Sequence, residues 1–399
     1  MRAQCRMTWF RGLEGVRAWL ALAVLVEHVV GLTALPDHHP ATRQLVHAGD
    51  SAVSVFIVIS GFVITHMILA RHEPYPLYLA RRLLRLYPVY AVCLLLGLVS
   101  TLLLNRIMPL QPWGAAIPFT QAMARARASL AGNGLPLHLA LHLSLLHGLV
   151  PDNLLFRAQL ALLTPAWSLS LEWQFYLLAP LVVLALRRPD TTLLVTAIAL
   201  GLYLLARKGV PGPYLMPSLL PASALPFALG IATRLILPGV PTRRSLPLSL
   251  PLLLAVALHT LAPGQGYLVV WAVLVLYMTT QSPIDPLSRI AFRLLHAGLD
   301  SRVALWAGRR SYCVYLLHFP ILQLLLCAAG AWHLGYWMTV ATLAIAGLPL
   351  TLLGADLLHR HVEQPGITLG RTLAARWHQA TPAPASTRLT RASRPNLVT

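Results

Sequence analysis

The feature that most limits what this chain can fold into is a series of apolar stretches long enough to cross a bilayer. A helix spans the hydrocarbon core with about 20 mostly apolar residues. In this 399-residue sequence ten stretches reach or approach that length, at about 15–35, 50–70, 84–105, 166–187, 191–207, 217–236, 246–263, 266–281, 309–329 and 335–358. Composition agrees with them. The chain is 57% hydrophobic and 11% charged, whereas a soluble domain is about a quarter charged. So few ionisable groups cannot cover a water-facing surface, which excludes a soluble globular domain, a disordered chain and a coiled coil. In lipid the backbone must satisfy its own hydrogen bonds, so the spans are helical. The expected fold is all-α: a polytopic integral membrane bundle of about ten transmembrane helices over residues 1–365, with a connection at about 106–165 and a basic tail at 366–399.

The charge is lopsided, 31 Lys+Arg against 12 Asp+Glu, formally +19. With the N-terminus in the cytoplasm, 23 of the cations fall in inside segments and 7 outside, while Arg17 lies within a span. That asymmetry is a strong positive-inside signal. It implies that both termini are cytoplasmic, that the long connection lies outside, and that most of the excess faces the lipid bilayer. Nucleic acid is not an expected partner, because no basic stripe with aromatics builds a soluble domain. The first apolar run is broken by Glu14, Arg17, Glu27 and His28 with no small-residue cleavage site after it, so it reads as a retained span rather than a signal peptide. Cys5, Cys93, Cys313 and Cys327 have no metal or disulfide spacing and read as small apolar packing residues. In the long connection, LPLHLALHLSLLHGLV carries His138, His142 and His147. No acid or cysteine stands near them, so a polar cap at the membrane surface is favoured over zinc, and no metal is expected. In the tail, the run GITLGRTLAARW is suited to lying on the inner leaflet and the last twenty or so residues read as disordered.

An ionisable group within a span is costly and marks a functional site by default. Four stand out: Arg17 and His28 in the first span, Glu172 in the fourth and His318 in the ninth. Arg17 and His28 are eleven residues apart, so they share one helix face about 16 Å apart along the axis. Taken singly, Arg17 reads equally as a snorkelling cation and His28 as a buried hydrogen-bonding imidazole. His28, Glu172 and His318 reach comparable middle depths, and one shared His–carboxylate–His site would satisfy all three. Ser168 stands one turn before Glu172, where its hydroxyl can reach the carboxylate. At the inner face, Arg82 and Arg85 in ARRLLRLYP are one turn apart and suit phosphate oxygens. An ordinary positive-inside anchor reads the same spacing.

Together these segments resemble the acyltransferase-3 family of integral membrane O-acyltransferases. The matching motifs are Arg17–x10–His28 in LEGVRAWLALAVLVEH, VFIVISGFVIT at 55–65, Arg82-x-x-Arg85, WSLSLEWQFYLLAP at 167–180, SYCVYLLHFP at 311–320 and VEQP at 362–365. One departure is Ala52 in GDSAV, where the family has a second glycine, leaving Gly49 and Gly61 as the close-approach positions. The resemblance implies transfer of an acyl group, acetyl from acetyl-CoA, to a hydroxyl of a sugar or glycan of a bacterial envelope or exopolysaccharide, at the cytoplasmic (inner) membrane. On that reading Arg82, Arg85 and Arg17 hold acyl-CoA, and His28 takes the acceptor proton, oriented by Glu172 or by the adjacent Glu27, with His318 completing the site. Trp167, Ser168, Tyr176 and Tyr315 support it. The rival reading is a transporter or flippase for a glycan or lipid-linked intermediate, which also explains charges at mid-membrane.

Overall fold

The structure, a computed structural model, describes residues 2–70, 73–107, 125, 128–130, 134–236, 266–279 and 285–380. All regular structure among them is helical. The helices used below are α1 (Arg2–Thr33), α2 (Ala48–Ala70), α3 (Tyr75–Ile107), α4 (Gly134–Leu143), α5 (Trp167–Ala185), α6 (Pro189–Arg207), α7 (Ala224–Ile236), α8 (Gly266–Thr279), α9 (Pro286–Leu299), α10 (Arg302–Ala331), α11 (Tyr336–Leu358) and α12 (Gln364–Ala380).

Among the described residues, seven helical segments are long and apolar enough to cross a membrane: Arg11–Thr33, Pro40–Ala70, Tyr75–Ile107, Thr164–Ala185, Pro189–Arg207, Arg302–Ala331 and Tyr336–Trp377. The expectation of about ten is therefore met only as an all-helical membrane bundle, not as a count. The stretches at 217–236 and 266–281 are helical but shorter, at Leu220–Ile236 and Gly266–Thr279. For the first the reason is local: Pro217 and Pro221 lack the N–H donors a continuing helix needs, and the chain enters α7 through a 3₁₀ turn at Leu220–Ser223. The stretch at 246–263 lies outside the described residues.

α10 is the central pillar. It packs against α1, α3 and α11, and its interior positions from Ala304 to Gly330 are buried at helical spacing. α1 crosses it closely because Gly308 has no side chain: a Cβ there would lie 1.8 Å from the Glu14 carbonyl oxygen. Small residues are what let membrane helices approach to backbone contact. Gly308→Val is expected to force α1 and α10 apart and to lower stability by about 1–3 kcal/mol, the scale of core overpacking. Thermal unfolding in detergent checks this, and an unchanged midpoint would mean the crossing has slack. α2 meets α7 through Gly61 and Gly230, where added Cβ atoms would lie 2.6 Å from the Phe227 and 2.1 Å from the Val58 carbonyl oxygens. α6 buries none of its residues and stands at the rim of the bundle.

α11 continues through a π-helical turn, His359–Glu363, into α12. The expected tail from residue 366 is thus helix as far as Ala380, and this helix packs on α3. Gly366 makes that docking close, since a Cβ there would lie 2.4 Å from the Leu84 carbonyl oxygen. Residues 381–399, expected to be disordered, lie outside the described residues.

Candidate active site

α1 and α10 carry the histidines. His28 is the last polar residue of the Arg17–x10–His28 face, and the crossing at Gly308 brings His318 beside it. His28 Nδ1 bonds the Val24 carbonyl oxygen at 2.8 Å, and His318 Nδ1 bonds the Val314 carbonyl oxygen at 3.2 Å. Each imidazole thus donates back to the carbonyl one turn earlier in its own helix. These bonds fix the tautomers: both Nδ1 atoms carry the proton and both Nε2 atoms keep a lone pair. His318 Nε2 lies 3.3 Å from His28 Nδ1, so it accepts a share of the same hydrogen. Phe319 holds the His28 ring edge-on, with centroids 5.0 Å apart. His318 is fully buried, whereas His28 lines a cavity shared with Glu27, Asp50, Trp167 and Tyr315.

Glu172 is not in this group, although the sequence places it at similar depth. It belongs to a second chamber lined by Arg17, Arg82, Arg85, Tyr176 and Ser311. There its Oε1 accepts from Ser60 Oγ at 2.8 Å and Tyr176 OH at 2.5 Å. Depth alone does not make neighbours. α5 turns its glutamate toward α2 and α3, and the one-site grouping of His28, Glu172 and His318 is corrected to a histidine pair and a separate carboxylate. Ser168 likewise bonds Tyr315 OH at 2.8 Å and the Pro165 carbonyl at 3.2 Å instead of Glu172. The Pro165 carbonyl, in the 3₁₀ turn Thr164–Ala166 that leads into α5, wins because it competes locally for a serine hydroxyl. No carboxylate is bonded to His28 among the described residues. The Glu27 carboxyl is instead tucked over Gly49, where a Cβ would lie 1.3 Å from its Oε2.

Two arginines of the second chamber keep an unsatisfied donor. Arg17 Nε and Arg82 Nε are buried with no hydrogen-bond partner among the described residues, and so is Ser311 Oγ. Buried donors of this kind cost free energy unless something completes them. Arg17, Arg82 and Arg85 also line a wide vestibule, together with Arg309, Glu363 and Arg371. At its other end the chamber shares Val53 and Tyr315 with the His28 cavity. Three cavities with shared lining residues thus run from an arginine-rich mouth to His28, and Tyr315 lines both the chamber and the His28 cavity, its hydroxyl donating to the Pro165 carbonyl at 3.0 Å and lying 2.8 Å from Ser168 Oγ.

Two other polar groups are bonded among themselves, one in the vestibule wall and one in the long connection. Glu363 is buried and accepts from His359 Nδ1 at 2.7 Å and from Cys313 Sγ at 3.3 Å. Cys313 is thus a hydrogen-bonding residue as well as a packing one, and Glu363 is a residue the sequence reading quoted in VEQP without assigning it. These three offer ligand atoms within 4.8 Å of one another, but their hydrogen bonds already satisfy them. In the long connection, the His142 and His147 rings stack with centroids 4.2 Å apart and planes 3° from parallel. Stacked rings aim their lone pairs side by side, not at one point. Burial pushes the His147 imidazole down to about 4, so it is neutral at physiological pH and its ring packs against Tyr90.

The chain is a helical membrane bundle whose interior holds a cluster of arginines and a pair of histidines. The particular family is shown by sequence: residues 10–360 match the acyltransferase domain family Acyl_transf_3, and the chain belongs to it. It is 29% identical to the acyltransferase MdmB of Streptomyces mycarofaciens over 402 residues, covering 91% of this chain and 93% of that protein. No solved structure matches this chain.

Proposed function

We propose that this acyltransferase moves an acyl group, acetyl from acetyl-CoA, to a hydroxyl of a sugar or glycan of the bacterial envelope or exopolysaccharide. The reading places the chain in the inner membrane with both termini in the cytoplasm, as the distribution of 23 inside and 7 outside cations favours. The observation that carries it is the set of cavities with shared lining that runs from arginines with buried, unpartnered Nε atoms to a histidine with a free Nε2. Acyl-CoA enters from the cytoplasm with its phosphates on Arg82 and Arg85. Its pantetheine arm passes Arg17 and Tyr315, a path matched by the roughly 16 Å rise from Arg17 to His28. The acceptor reaches His28 from the opposite cavity.

The chemistry balances in two steps. His28 Nε2 takes the acceptor hydroxyl proton as its oxygen forms a bond to the thioester carbonyl carbon. The tetrahedral intermediate then collapses, the carbon–sulfur bond breaks, and the departing CoA thiolate takes the proton from His28. As the imidazole becomes cationic, its Nδ1–H bonds to Val24 and to His318 Nε2 strengthen. His318 acts as a positioning residue that shares the new charge, a part the sequence reading gave to Glu172 or Glu27.

Membranes supplied with radiolabelled acetyl-CoA and envelope glycan test the reading, since a transporter would return its substrate without a new ester. Arg82→Ala with Arg85→Ala is expected to raise the donor KM by about 10–100-fold, the scale of two charge-assisted phosphate contacts. An unchanged KM would mean that these arginines only anchor α3.

A further inference from the structure

We infer that Arg371, on the C-terminal helix α12, holds the 3′-phosphate of the coenzyme A donor. This deepens the acyl-CoA reading and rests on it. The family match ends at residue 360, so it assigns nothing to α12 (Gln364–Ala380).

α12 is built into the wall of the vestibule. Its stripe of Gly366 and Gly370, one turn apart, lies against α3. A Cβ at Gly366 would meet the Leu84 carbonyl at 2.4 Å, and one at Gly370 would rest 3.5 Å from Arg81 Cγ. That close packing sets the next residue, Arg371, on the same vestibule that Arg82 and Arg85 line. Two other cations at this mouth are engaged with acids. Arg81 is paired with Glu73, and Arg309 Nε lies 3.4 Å from Glu14 Oε2. Arg371 is exposed and has no acidic partner among the described residues. Glu363, the nearest acid in sequence, is taken by His359 and Cys313.

Two tiers of arginine follow: Arg82, buried, and Arg371 at the rim. Coenzyme A has phosphate at two levels as well. Its diphosphate is joined directly to the pantetheine arm, and its 3′-phosphate sits beyond it on the ribose. With the thioester directed at His28, the diphosphate meets the deep tier, and the 3′-phosphate is left at the rim, where Arg371 stands. Arg376, five residues on, projects about 140° away around the helix and serves as the internal control.

The test measures binding of coenzyme A and of 3′-dephospho-coenzyme A to the full chain in nanodiscs of zwitterionic phosphatidylcholine, so that no anionic headgroup competes. Wild type and Arg376→Ala should prefer coenzyme A by about tenfold, the worth of one charge-assisted contact. Arg371→Ala and Arg371→Gln should bind the two equally, at the affinity wild type has for the dephospho form. A preference that survives in both Arg371 variants overturns the inference. So does a loss of affinity for both ligands alike, which would make Arg371 a structural or diphosphate contact. If adding phosphatidylglycerol abolishes the wild-type preference and leaves Arg371→Ala unaffected, the residue serves a lipid headgroup and the inference falls. A wild-type chain that binds neither ligand sinks the acyl-CoA reading itself, which is a different result.

Discussion

Replacing His28 by alanine is expected to lower acyl transfer by about 10²–10⁴-fold, the contribution of a positioned general base, while donor binding stays as in wild type. The two effects separate because His28 lines the outer cavity and the arginines line the inner chamber and vestibule. His318→Gln should cost less, about tenfold. Glutamine can still offer an acceptor to His28 Nδ1, but it shares the imidazolium charge less well. The order matters: if His318 were the base and His28 its support, the larger loss would move to His318. Its complete burial argues against that, since a base must touch the acceptor. Ester formation in proteoliposomes, with donor Kd measured alongside, decides the case. A wild-type rate from His28→Ala would place the base elsewhere.

How much of this was legible in the sequence depends on what each residue answers to. Apolar length and charge asymmetry report the solvent, so an all-helical membrane fold was readable from composition and pattern. The number of spans was less so, because a run such as 217–236 is apolar enough but is interrupted by prolines whose effect is local. Arg17 and His28 were readable as one face because a single helix fixes their register. Glu172 and His318 were not readable as neighbours or otherwise, because that depends on how α5 and α10 rotate about their axes. The rotation is set by backbone contacts such as Gly308 on Glu14, which carry no chemical signature beyond a glycine. Glu363 and Ser60 had a signal, a polar residue inside a quoted motif, yet their partners lie on other helices. Arg371 looked like a lipid contact because its surroundings are built by α3, almost 300 residues earlier in the chain.

Glu172 gives the sharpest test of the inner chamber. Glu172→Ala is expected to destabilise the protein by about 1–3 kcal/mol, the cost of leaving the Ser60 and Tyr176 hydroxyls without their acceptor. The carboxylate is the acceptor for Ser60 and Tyr176, and it faces Arg17, Arg82 and Arg85 across the cavity they share. Glu363, the other acid near them, is committed to His359 and Cys313. Glu172→Gln separates the two functions. It keeps an oxygen for both hydroxyls, recovering about 1–2 kcal/mol of hydrogen bonding, but leaves the arginines with less opposing charge. An anionic ligand then supplies what the carboxylate did, so coenzyme A should raise the Tm of Glu172→Gln by more than it raises that of wild type. Thermal unfolding with and without coenzyme A reads both effects. Equal ligand-induced shifts in the two proteins would mean that Glu172 serves only as a hydrogen-bond acceptor, and that the arginines are balanced from elsewhere.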